Sequence, residues 1–169
     1  MSNSVSLDMN ILGFKTANDE LFITSCKIIA YILNELGIDS STKSYLRDSV
    51  RIASLKSAGK LKSGKHMAKW ISPSAIEVQK RGPKAGELIL EHSVPVKVIL
   101  ESVCELVSPT YVEIAKVIHC MSELAVITKK EDTKISQMKL GSSMPKNWDG
   151  KDLFIRYELA GIKLVENPF

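Results

Sequence analysis
The chain has 169 residues, a formal net charge of +4 and 44 % hydrophobic residues, which suits a folded domain with a real core and excludes a disordered polyelectrolyte. No apolar run approaches the length needed to cross a bilayer. The first ten residues lack a basic start and a hydrophobic signal core, so the expectation is a cytoplasmic protein with no membrane partner. Cys26, Cys104 and Cys120 are odd in number, widely spaced and set in apolar patterns, which predicts reduced core residues and no disulfide framework.

Residues 1–17 show no clear periodicity and read as a loosely held arm. Leu21, Phe22, Ile28, Ile29, Ile32, Leu33 and Leu36 follow helical spacing, predicting a helix over 18–36 stopped by Gly37. Ser40 or Ser41 can cap a second helix to Leu55, with Tyr45, Leu46, Ser49, Val50 and Ala53 on its inner face. A Gly/Lys/Ser stretch, 57–65, interrupts the pattern as a basic loop. A short helix over 66–71 is expected next, then a helix opened by Ser72-Pro73 that ends near Arg81-Gly82-Pro83.

Residues 87–92 form the first clear strand. Helices follow over 96–107 and, capped by Ser108 with Pro109 in its first turn, to Cys120. A second strand, 124–127, leads into a helix over 129–140 stopped by Gly141. A polar loop carrying Trp148, a short helix over 152–160 and an apolar tail close the chain. The fold class is therefore α+β: mostly helical, with a small two-stranded sheet and a ββα-metal-like C-terminal unit. The division falls between a helical, basic part (1–86) and a C-terminal part (87–169) within what reads as one compact domain.

Charge is unevenly placed. From Lys43 to Lys84 there are eleven basic residues against two acids, +9, and the rest of the chain carries −5. Such a segment suits a polyanion, most simply nucleic acid, although a solvated lysine-rich surface would look the same. Lys43, Arg47 and Arg51 recur every four residues as one helical stripe, and Lys60, Lys62, Lys65 and Lys69 follow. Gly59 to Lys65 has the glycine–lysine spacing of a phosphate-binding loop, but His66 stands where the motif needs Ser or Thr, which argues against a nucleotide triphosphate site. Trp70 and Trp148 are candidates for base stacking or for half-buried anchors. Arg156 and Tyr157 could act as a phosphate clamp.

The run Glu91-His92-Ser93-Val94-Pro95 ends the first strand with a carboxylate and an imidazole side by side. Histidine titrates near neutrality and can take a proton from water, with the carboxylate beside a divalent ion. The same residues also fit a hydrogen-bonded histidine at a strand end with an exposed glutamate. Thr128-x-x-Glu131 with Asp132 is a capping box with a favourable first-turn acid, or else supplies carboxylates to a metal.

Together these segments resemble the HNH-type nucleases of the ββα-metal superfamily, over roughly residues 87–140. The acid-His pair with Pro three residues on matches the first strand, and Val126-Ile127-Thr128 running into Lys129-Lys130-Glu131-Asp132 matches the second strand and helix. The resemblance is to a variant, because residues 93–123 lack the usual Asn and the helix lacks the usual His or Asn. It implies a metal-dependent DNA endonuclease of the restriction or phage type, with RNA as another substrate. His92 would be the general base, and Mg²⁺ or Mn²⁺ would be held by Glu91 with Asp132 or Glu131. The alternatives are a non-catalytic nucleic-acid-binding regulator and an interaction protein for an acidic partner. A homodimer is compatible with either.

Overall fold
A computed structural model describes residues 17–58 and 68–169. Among the described residues there are seven helices and one four-stranded sheet. No helix among them is long and apolar enough to cross a membrane. The described residues divide into two compact units, one of residues 17–58 with Ile99–Cys120 and one of residues 68–98 with Met121–Phe169. The division is thus discontinuous, where the sequence suggested a single cut near residue 86.

In the first unit, α1 (Ala17–Tyr31) passes into one π-helical turn, Ile32–Leu36, and ends at Gly37. Gly37 adopts φ +75°, a conformation that glycine enters without a Cβ penalty. The buried face is Phe22, Ile23, Cys26, Ile29 and Ile32, whereas Leu21, Ile28 and Leu36 are exposed. Helix α2 (Ser40–Ser57) is capped by Asp39, whose carboxylate accepts from the Ser41 and Thr42 amides. The Ser41 hydroxyl, which donates to the same carboxylate at 2.6 Å, and then the Thr42 amide hold the Asp39 carboxyl down at about 2. Leu46, Val50 and Ala53 form the inner face as expected, but Tyr45 is 72 % exposed. The cysteines divide: Cys26 is buried, and burial pushes its thiol up to about 12, while Cys104 is half-buried and Cys120 exposed.

The second unit is organised by the sheet, whose strands lie in the order Leu88–His92, Leu124–Thr128, Trp70–Ile71, Val165–Glu166. Residues Trp70–Ile71 form β1 and α3 spans Pro73–Lys80. Strands β2 (Leu88–His92) and β3 (Leu124–Thr128) are antiparallel, β1 runs parallel to β3, and β4 (Val165–Glu166) closes the other edge antiparallel to β1. The two-stranded expectation is corrected to four, and the helix expected over 66–71 is replaced at Trp70–Ile71 by a strand. Two-residue strands carry no alternation that a sequence pattern could register.

Between β2 and β3 lie α4 (Val96–Cys104), which starts in this unit and runs into the first, and α5 (Tyr111–Met121). The cap of α5 is Thr110 and not Ser108: Thr110 and Glu113 exchange side-chain and backbone bonds, and Ser108 sits at φ +46°. Helix α6 (Lys129–Gln137) follows β3 directly, and α7 (Ile155–Leu159) precedes β4. Ala125, Ile127, Ile135, Leu140, Tyr157, Ala160 and Ile162 make the core between one sheet face and the helices α6 and α7.

Candidate functional site
Strand geometry decides which candidate residues meet. Successive side chains on a strand point to opposite faces, and the register sets Glu91 opposite Ala125 and His92 opposite Leu124. Ala125 belongs to the core cluster under α6 and α7. Glu91 therefore shares that face, and His92 lies on the other.

On the α7 face Glu91 meets Arg156, whose side chain is fully buried and whose Nη2 donates to Glu91 Oε1 at 2.9 Å. The same guanidinium donates from Nε to the Ser93 carbonyl at 2.9 Å, from Nη1 to the Leu140 carbonyl, and from Nη2 to the His92 carbonyl. Three backbone carbonyls and one carboxylate thus share one planar fork, which suits arginine and no other side chain. Arg156 is spent internally and does not act as a phosphate clamp. Burial raises the Glu91 carboxyl above its ordinary range even though the Arg156 charge and hydrogen bond pull it down, and nearby Asp132 adds to the rise. The Tyr157 phenol beside it is pushed up, first by burial and then by the Glu91 charge.

The other two acids also have partners. Glu131 closes a complete capping box with Thr128: its Oε2 accepts from the Thr128 amide at 2.8 Å and hydroxyl at 2.9 Å. That oxygen also accepts from the Ser72 hydroxyl at 2.7 Å, and Ser72 in turn caps α3 by accepting from the Ala75 amide. One carboxylate therefore ties the starts of two helices together. Asp132 Oδ2 accepts from Lys129 Nζ at 2.6 Å.

These residues do not fit a Mg²⁺ centre as arranged. Magnesium needs carboxylate oxygens convergent on one point. Here each carboxylate is held by a cation or by hydroxyl and amide donors, and His92 faces away from them. Among the described residues no group of three or more His, Cys, Asp and Glu side chains is placed to hold a metal ion.

The expected phosphate-binding residues are partly described. Lys43, Arg47 and Arg51 are exposed along α2, with Arg47 loosely paired to Asp48 at 4.0 Å. Lys69 is exposed, with its ammonium 5.0 Å from the Trp70 ring centre. Lys60, Lys62 and Lys65, with the glycine–lysine loop and His66, lie outside the described residues, as does the arm over 1–16.

Sequence reasoning missed two features of the second unit. A pocket of about 430 Å³ is lined by Trp70, Phe154, Ile162 and Leu164 among others, and a cleft of about 810 Å³ runs along α6 past Lys129, Lys130, Thr133 and Lys134. The lysine run at 129–130 was the available signal, but it read as a helix start. No protein-family model, curated protein or solved structure matches this chain.

The capping role of Glu131 predicts its own behaviour. Glu131→Ala should lower stability by about 1–2 kcal/mol, because three donors lose their acceptor. Glu131→Gln, which keeps a carbonyl oxygen, should cost less. Thermal unfolding of both variants checks this, and a Glu131→Ala variant as stable as the parent would mean that the Ser72 and Thr128 bonds contribute nothing.

Proposed function
We propose that the chain binds nucleic acid without cutting it, using a C-terminal unit laid out like an HNH-type nuclease. The antiparallel β2–β3 pair followed directly by α6 agrees with the ββα course of those enzymes. The observation that carries the non-catalytic reading is the Glu91–Arg156 pair. A carboxylate bonded to a fully buried guanidinium is an internal structural partner, and releasing it to a metal would strand the arginine charge in the core. The basic stripe of α2 supplies phosphate contacts, which position a strand without reading its bases.

The metal-dependent DNA endonuclease remains the second reading. It is favoured by His92 itself, at a strand end whose carbonyl Arg156 fixes in place. It requires Glu91 to leave Arg156. Purified protein incubated with plasmid and linear DNA in Mg²⁺ or Mn²⁺ separates the two. The expected result is a mobility shift with no new ends, unchanged in His92→Ala. Metal-dependent cleavage that His92→Ala lowers by two or more orders of magnitude would replace the binding reading with the enzyme.

A further inference from the structure
The aromatic pocket and the lysine cleft are neighbours: Gly161 and Ile162 line both. On one side stand Trp70 and Phe154, with ring centres 5.3 Å apart and planes at 67°. The indole is anchored at its edge, where Nε1 donates to Glu123 Oε2 at 3.1 Å. On the other side Lys130 and Lys134 are exposed cations on α6. Of the acids of that cleft, Glu87 pairs with Arg81 at 2.8 Å, and Glu131 keeps its charge but has one oxygen taken up by the Thr128 donors of its capping box and by the Ser72 hydroxyl. The junction is Gly161 at φ +63°, where a Cβ would lie 3.4 Å from the Lys134 ammonium. A lysine therefore reaches to the bare backbone that separates an apolar cavity from a positive one.

We propose that the two cavities form one binding site for a nucleotide unit of a single-stranded nucleic acid. The base enters the Trp70–Phe154 pocket and its phosphate lies against Lys134 and Lys130. The chemistry is complementary at both ends. A fixed aromatic wall stacks on a base face that is available only when the base is unpaired. The cleft offers the exposed cations Lys130 and Lys134 to a phosphate. Glu158, exposed at the pocket rim, can accept from an exocyclic amine. This site rests on the nucleic-acid reading above but is separate from the α2 stripe, and it needs no hydrolysis.

The chain has two tryptophans, so Trp148→Phe leaves Trp70 as the sole indole. Full-length protein of this background is titrated with a labelled single-stranded DNA dodecamer, following Trp70 emission and label anisotropy together. The expected result is quenching of Trp70 along the anisotropy isotherm. Phe154→Leu should weaken binding about ten-fold through lost stacking. Because that variant disturbs a packed ring, Lys134→Gln, an exposed change that leaves packing alone, should also weaken binding and flatten its salt dependence. A strand that raises anisotropy while Trp70 emission and the Lys134→Gln affinity stay unchanged would overturn the site and leave the nucleic-acid reading standing. No anisotropy change with any strand would remove both.

Discussion

Replacing Arg156 by Met is expected to lower stability by about 3–5 kcal/mol, the largest effect of any single change discussed for this chain. The guanidinium has no exposed surface, and its removal leaves the carbonyls of His92, Ser93 and Leu140 without that donor and Glu91 without its cation. Buried polar groups without partners carry their full desolvation cost. The variant should also respond differently to pH. Burial already raises the Glu91 carboxyl in the native state, and loss of the arginine charge raises it further. A carboxyl whose folded pKa exceeds its unfolded value contributes stability below the unfolded pKa, and that contribution is lost as pH rises through the folded pKa. The deficit of Arg156→Met should therefore shrink on acidification from neutral pH. Adding Glu91→Gln should recover part of the loss at neutral pH. Denaturant titrations of the three proteins at two pH values test this, and a pH-independent deficit would show that Glu91 carries no charge near Arg156.

The second large effect concerns binding. Simultaneous Lys43→Gln, Arg47→Gln and Arg51→Gln removes three exposed cations from one face of α2. If each neutralises one phosphate of a DNA duplex, the log–log salt slope should fall by about 2.7, from about 0.9 per phosphate. Between 50 and 200 mM salt the parent would then lose roughly 40-fold more affinity than the variant. The loss should be alike on all sequences, since phosphate contacts carry no sequence information. Fluorescence anisotropy over a salt series measures the slope. An unchanged slope would assign the stripe to solubility or to a protein partner, and the binding reading would lose the α2 surface.

Much of the local structure was legible because local rules decide it. Ser72-Pro73 and Thr128-x-x-Glu131 announce helix starts through bonds made within four residues, and both are found in place. Strands β2 and β3 are apolar enough to stand out, and their ends fall within one residue of expectation. What the sequence hid depends on distant partners. Arg156 sits in a short helix where an arginine is normally at the surface, and only segments 16 to 65 residues away in the chain bury it. The exposure of Tyr45, against its apolar character, likewise follows from packing and not from periodicity. The candidate site was legible as residue types but not as geometry. Alternation along β2 separates Glu91 from His92, and the sequence shows them adjacent.

The interleaved units set an order on how this chain can be made. Strand β1 pairs with β3, and Trp70 stands beside Ala125. Between them the chain must build α4 and α5, most of which belong to the other unit. A growing chain therefore holds β1, α3 and β2 without their central strand until residues 124–128 emerge, and long-range pairing of this kind is slow. Scission at residue 86, where composition invites a domain boundary, would leave neither piece with a complete sheet. The four-stranded sheet is complete only when residues 68–98 and 121–169 are both present.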